Sequence, residues 1–173
     1  YKTLSRLKNE IKLREKQETV IKRRLGSRIT INKLLETSLA PMSLIQQLES
    51  LLDIIFSIPW FTLNQKGSIF LIDQETGNLE LKAHRGFRKE QLAKCLRLRP
   101  GQCLCGQAAM TGQTIYAAHV DDRHHIRFEH MQDHGHYCVP IKTSERIIGV
   151  INLYVNANHV RKTEEDEFLD SVA

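Results

Sequence analysis

The chain of 173 residues suits one domain of ordinary size with an appendage, and its apolar content of 41% is sufficient for a hydrophobic core. No apolar run reaches the length of a membrane span and the N-terminus lacks a signal-peptide pattern, so we expect a cytoplasmic protein without membrane insertion. The net charge of +5 is unevenly distributed along the chain: residues 1–33 hold eleven Lys/Arg and three Glu, whereas residues 34–173 hold fourteen Lys/Arg and seventeen Asp/Glu. The basic segment has few aromatic residues and carries its charges all around, which favours a solvated helix over a nucleic-acid partner.

An N-terminal helix is predicted for residues 2–25, which contain strong helix formers and neither Pro nor Gly. Five apolar residues share one heptad phase, which Arg14 and Glu18 interrupt. These five residues are Leu4, Leu7, Ile11, Ile21 and Leu25. The pattern leaves two alternatives open, a coiled coil that joins two copies in a homodimer and a single helix that packs on the following domain.

The domain boundary is predicted at a break in this helical pattern. Gly26-Ser27 is interpreted as a hinge, so that residues 1–28 form a linker helix and residues 29–173 form the globular domain. Neither end of the chain carries an obvious cap, and we therefore expect it to be an excerpt from a longer protein.

The first half of the domain contains a helix and a hairpin. Residues 43–58 carry an apolar stripe, with Ser43 as N-cap and Pro59 as the stop. Residues 67–73 and 79–85 predict two strands, joined through the turn sequence "QETGN". A short helix is predicted over residues 88–96.

The second half begins with a small-residue helix, "LCGQAAMTG", followed by the short strand "TIYAA" and a long polar loop over residues 118–133. A second hairpin joins "HYCVPIKT" to the apolar strand "IIGVINLYV", and a terminal helix begins with Thr163 as N-cap. Two hairpins separated by helices indicate an α+β protein, with an antiparallel sheet and helices on its faces.

Several stretches resemble the GAF family of cytosolic sensor domains. They are "KGSIFLID", "LKAHRGF", "PGQCLCGQAAMTGQTIYAAHV", "CVPIKTSERIIGVINLYV" and "TEEDEFLDSVA". The stretches "CxCG" and "HGHY", with Arg123-His124 in the preceding loop, are similar to a GAF subgroup of bacterial two-component proteins, which includes histidine kinases, response regulators and cyclic-dinucleotide enzymes. The resemblance implies a sheet of about five to six strands, sensing of a small molecule or gas, and signal relay through terminal helices. It also implies that this chain is not itself an enzyme and that catalysis lies in an absent output domain.

Cysteine and histidine residues are concentrated in "GQCLCG" and "HGHYC". Cys103 and Cys105 lie at the start of a predicted helix, where unpaired N–H groups and the helix dipole lower a thiol pKa. Residues two apart on a strand share a face, so His136 and Cys138 point the same way, and His134 joins them if the strand starts early. Gly135 is interpreted as a bend that brings the two rings together.

Two thiolates and two imidazoles form a Cys₂His₂ set suited to zinc or iron, and the sequence does not decide between them. The predicted metal ligands are Cys103, Cys105, His134 and His136. Further candidates, as additional ligands or as partners of the ligands, are Cys138, His124, Asp122 and Tyr137.

A second interpretation is a thiol enzyme. One GAF branch reduces free methionine sulfoxide, and by resemblance Cys105 matches its helix-start cysteine, with Cys95 as a resolving thiol. The resemblance is incomplete, because the "GHIACD"-like stretch of that branch is "GHYCVP" here.

Overall fold

One antiparallel sheet of six strands organises the chain. The computed structural model describes residues 2–173, with side chains from residue 4 onward. The strand order is β3-β2-β1-β6-β5-β4, and every neighbouring pair is antiparallel. The elements are α1 (Lys2–Leu39), α2 (Leu44–Phe56), β1 (Gly67–Ile72), β2 (Leu79–Arg85), α3 (Lys89–Cys95), β3 (Arg97–Leu98), α4 (Cys103–Thr111), β4 (Ile115–Ala117), β5 (His134–Lys142), β6 (Ile147–Asn156) and α5 (Thr163–Val172). The predicted α+β class, the two hairpins and the long N-terminal helix are confirmed.

The two faces of the sheet bury different cores. One face packs against α2 and α5, with Leu52, Tyr137 and Phe168 among its buried residues. The other face packs against α4 and contains Leu104 and Cys138. Alternation along β5 therefore separates Tyr137 from its neighbours, as the period of two predicts.

Helix α1 is continuous through Gly26 and Ser27, so the predicted hinge is wrong. Gly26 has a packing role instead, because a Cβ there would lie 3.3 Å from the Trp60 ring. The five residues of the heptad phase are all more than half exposed in this chain.

No helix within residues 2–173 combines the length and apolar character needed to cross a bilayer.

Helix α5 is fastened to the sheet through a buried carboxylate. Glu165 is 1% exposed; its Oε2 accepts a hydrogen bond of 2.8 Å from the Tyr137 hydroxyl and lies 2.8 Å from His159 Nε2. Lys162 occupies the N-cap position and Thr163 is the first helical residue, so the helix begins one place earlier than predicted. At the adjacent surface, Arg23 of α1 pairs with Glu164. The terminal helices are thus tied to each other and to β5.

Candidate metal centre

Three buried histidines, the histidine cluster, converge where β5 begins. His134 and His136 belong to β5, and His124 comes from the loop between β4 and β5. One ring nitrogen of each lies within 4.8 Å of the others, and the ring centroids are separated by 4.6, 5.1 and 5.5 Å. Within residues 2–173, no other group of His, Cys, Asp and Glu side chains brings three ligand atoms together in this way.

Strand β5 and the long loop before it position these rings. The two-residue spacing places His134 and His136 on the same face of β5. Gly135 between them serves close packing, since a Cβ would lie 2.6 Å from the Ala117 carbonyl oxygen. The structure therefore replaces the predicted bend with a close approach of β4. In the loop, the His124 N–H donates to the Asp121 carbonyl over 3.0 Å.

Hydrogen bonds at the Nδ1 atoms orient two of the three histidines. His136 Nδ1 lies 2.9 Å from Asn152 Oδ1, and His134 Nδ1 lies 2.6 Å from the Gln132 carbonyl oxygen. Because both partners are acceptors, each Nδ1 carries the proton and each Nε2 presents a lone pair. This arrangement is typical of metal-ligating histidines, whose second nitrogen donates to a carbonyl or carboxylate.

Among the side chains that the structure describes, three buried ring nitrogens of the histidine cluster find no hydrogen-bond partner: His124 Nδ1, His134 Nε2 and His136 Nε2. Burial is the main cause that lowers the pKa of all three residues, and the pKa of His136 is lowered well below its usual value. The neighbouring His134 also lowers the pKa of both His124 and His136. Neutral imidazole is the form that binds a metal ion.

The cysteines lie beside the histidine cluster but do not belong to it. Cys105 and Cys138 are buried with their Sγ atoms 3.7 Å apart. Cys103 has a φ of 58°, and its N–H donates to His125 Nδ1 over 3.0 Å. The structure thus brings together His134 and His136 of the predicted Cys₂His₂ set with His124, one of the further candidates, in place of the two thiolates.

The predicted lowering of the thiol pKa values is wrong. Burial, and then the neighbouring Cys105, raise the pKa of Cys103. The contact with Cys138 and burial raise the pKa of Cys105 well above its ordinary value. Both side chains are part of the apolar core between α4 and the sheet, where loss of hydration outweighs the field of the helix terminus.

The remaining predicted residues have other surroundings. Tyr137 faces the opposite core and reaches Glu165, so it does not contact the histidine cluster. Asp122 is exposed on the loop. Asn152 was not predicted to belong to the site, although it interrupts the apolar strand "IIGVINLYV" with a buried polar group. That interruption was the signal that could have identified it.

Two cavities adjoin the histidine cluster. An inner cavity of about 20 Å³ is lined by His124, His136 and all four cysteines, and this is room for about one water-sized molecule. An outer pocket of about 200 Å³ is lined by His134, Lys66 and Arg88, among others. Tyr154 lines both spaces, and its ring centroid lies 4.9 Å from that of His134 and 4.2 Å from that of His136.

Comparison with known proteins relates the chain to one family. The family model of the GAF domain matches residues 46–173. No curated protein matches the sequence. Among solved structures, the GAF domain of a phosphoenolpyruvate-protein phosphotransferase from Coxiella burnetii is similar with a TM-score of 0.69 at 23% identity, covering 83% of this chain and 86% of that chain. The nlh2 GAF domain of A. aeolicus, in an inactive state, has a TM-score of 0.67 at 13% identity, covering 87% and 90%.

Enzymes are also among the similar structures. The free methionine-R-sulfoxide reductase of Neisseria meningitidis, in complex with its substrate, has a TM-score of 0.64 at 16% identity, covering 84% of this chain and 85% of that chain. The prediction that this chain is not an enzyme is therefore corrected, because the same fold carries catalysis in these reductases. At such identities, the likeness establishes the fold alone.

Proposed function

Since the chain belongs to the GAF domain family, we propose that it is the sensory domain of a bacterial signalling protein and that it binds a transition-metal ion through His124, His134 and His136. The carrying observation is that three buried ring nitrogens find no hydrogen-bond partner within residues 2–173. A buried polar group left unpaired costs about 1–3 kcal/mol, and one bound cation would satisfy all three groups.

The geometry suits an ion with small adjustments of the rings. Metal–nitrogen bonds of about 2.0–2.1 Å around a tetrahedral ion place the nitrogens about 3.4 Å apart. Nitrogens within 4.8 Å of one another therefore need to close by about 1.4 Å at most. Three imidazoles leave a further coordination position open, which suits zinc or iron and an exchangeable ligand.

Strand β5, which carries His134 and His136, also contacts the C-terminal helix α5. His136 and Tyr137 are adjacent on β5 and face opposite sides, and Tyr137 binds Glu165 of α5. A shift of β5 on metal binding would therefore change the hold on α5, which is the differential contact that allosteric coupling requires. The exposed heptad residues of α1 support a homodimer in which this change passes between two copies.

Elemental analysis of anaerobically purified protein tests the metal proposal. We expect about one zinc or iron per chain in the parent protein, and loss of the metal in His134→Gln and His136→Gln. His130→Gln is the matched control, because the side chain of His130 is 82% exposed and lies on the loop that also carries His124. Unchanged metal content in the cluster variants, or no metal binding by the parent protein after incubation with Zn²⁺ or Fe²⁺, would contradict the proposal.

Thermal unfolding provides an independent measurement on metal-depleted protein. Free metal at about 100 times its Kd stabilises the folded state by about 2.7 kcal/mol, which corresponds to a rise in Tm of about 5–11 °C for a chain of this size. His130→Gln should show the same rise, and His136→Gln should show none.

A second candidate function is thiol-dependent reduction of free methionine sulfoxide, the reaction of the reductases that share this fold. The observation that favours it is the set of four cysteines around the inner cavity, with the sulfur atoms of Cys105 and Cys138 3.7 Å apart. Two thiols would become a disulfide while the sulfoxide oxygen leaves as water. Turnover with thioredoxin as reductant, lost in Cys105→Ser, would support this function, and absence of turnover would exclude it.

A further inference from the structure

We infer that the outer pocket binds a small oxyanion, a carboxylate or a phosphate, between the side chains of Lys66 and Arg88. This site adjoins the histidine cluster but uses different residues, so it goes beyond the proposed metal site and does not depend on it.

The charge of the outer pocket is the first support. Lys66 and Arg88 both line it, and in residues 2–173 neither lies within 4.0 Å of a carboxylate oxygen. The one acidic residue in the lining, Asp133, already has partners, because its carboxylate accepts from the Val120 N–H over 2.9 Å and lies 2.9 Å from His119 Nδ1. Two cations therefore face this pocket without a counter-ion from the part of the chain that the structure describes.

Aromatic rings surround the ammonium group of Lys66. Its Nζ lies 4.4 Å from the centre of the Tyr154 ring and 5.7 Å from the rings of Phe87 and Phe128. Burial, followed by repulsion from Arg88, lowers the pKa of Lys66. The ring faces offset part of this cost, and an anion between the two cations would offset the repulsion itself.

The shape and the hydrogen-bonding groups of the pocket suit an oxyanion. The volume of about 200 Å³ accommodates a small organic acid or a phosphate. The guanidinium of Arg88 presents the planar fork that matches two oxygens, and Lys66 provides a point charge. The amides of Asn64 and Asn156 also line the pocket, and across residues 2–173 neither side chain forms a hydrogen bond. They offer additional donors to the oxygens of a ligand.

Calorimetric titration of metal-depleted protein with inorganic phosphate, and separately with malonate, tests this site at constant ionic strength in chloride. We expect saturable binding of one of the two anions, which identifies the preferred class. Arg88→Met and Lys66→Met should each weaken that binding about tenfold or more, because each removes a charge-assisted contact. Lys89→Met is the matched control: it removes an exposed cation next to Arg88 that does not line the pocket, and its binding should equal that of the parent.

Thermal unfolding of each variant separates loss of the site from loss of the fold. Arg88 is exposed, so Arg88→Met remains a valid test even if Lys66→Met fails to fold. Absence of saturable binding to both anions, or equal binding by parent and Arg88→Met, would overturn the inference. Equal weakening in Lys89→Met would also overturn it, because the binding would then reflect general surface charge. Metal content measured on the same variants should stay at the parental value, which distinguishes failure of this site from failure of the metal site.

Discussion

Replacing Tyr137 by Phe removes one hydroxyl from the junction between β5 and α5. This hydroxyl is fully buried and donates a 2.8 Å hydrogen bond to Glu165 Oε2. Burial and the bond to Glu165 raise the pKa of Tyr137, so the hydroxyl stays protonated as a donor throughout the physiological range. The ring keeps its packing against Phe61, at a centroid distance of 5.6 Å. The substitution therefore isolates the hydrogen bond.

The expected cost follows from the burial of Glu165. A hydrogen bond to a charged group contributes about 1.5–3 kcal/mol, and the carboxylate remains buried after the hydroxyl is removed. His159 Nε2 at 2.8 Å and the Lys162 N–H at 3.3 Å still accompany Oε2, so we expect about 2 kcal/mol rather than the upper bound. This corresponds to a decrease in Tm of about 4–8 °C.

Urea unfolding and calorimetry measure this change, and Tyr116→Phe is the matched control. Tyr116 donates to the neutral carbonyl of His159 and is only partly buried, so its loss should cost about 0.5–1.5 kcal/mol. Because coupling between two sites is reciprocal, the proposed link between β5 and α5 predicts that Tyr137→Phe also changes the metal affinity, although Tyr137 does not contact the histidine cluster. A variant as stable as the parent would contradict the stabilising role of this hydrogen bond, and an unchanged metal affinity would contradict the proposed coupling between β5 and α5.

Three further predictions follow from the structure. Gly135→Ala should lower the Tm and weaken metal binding, since its Cβ would meet the Ala117 carbonyl oxygen at 2.6 Å and displace β5. Parental metal affinity of this variant in a titration with Co²⁺ would contradict the prediction. Burial raises the pKa of Cys95 from 9.0 to about 12. The unfolded chain therefore loses this proton first, and the contribution of Cys95 to stability, complete below about pH 9, is lost as the pH rises toward 12. The free energy of unfolding should therefore fall more over this pH range in the parent than in Cys95→Ala. Placing Lys at both Leu7 and Ile11 should convert a dimer into a monomer in sedimentation velocity, because these side chains are exposed on α1 and belong to its heptad phase; a parent protein that is already monomeric would refute the proposed dimer.

Much of the path of β5 could be predicted from its sequence. The period of two correctly separates Tyr137, in the core with α2 and α5, from Cys138, in the core with α4. Ser43 forms the predicted N-cap of α2, and its capping box with Gln46 is a contact within one turn. Predictions of this kind succeed because side-chain direction and helix capping depend on residues a few positions apart.

All three histidines of the histidine cluster were among the predicted candidates, but the sequence placed only two of them together. His134 and His136 share a face by spacing alone. His124 comes from a loop without periodicity, and its ring reaches the cluster only because that loop folds back over the start of β5. Lys66 and Arg88 likewise come from separate segments and meet only in the outer pocket.

The sequence by itself determined the family, the order of the elements and the faces of β5, because these depend on local patterns. Tertiary structure decided which candidate ligands meet, and it decided that burial raises the pKa of Cys103 and that the contact with Cys138 and burial raise the pKa of Cys105. Cys105 and Cys138 are 33 residues apart in the chain, yet their sulfur atoms lie in contact within an apolar core. The pKa of a thiol depends on the hydration it loses and on the charges that approach it, and both are set by segments distant in sequence. The thiolate pair expected at the start of α4 is therefore a pair of buried thiols, and three histidines form the candidate metal site instead.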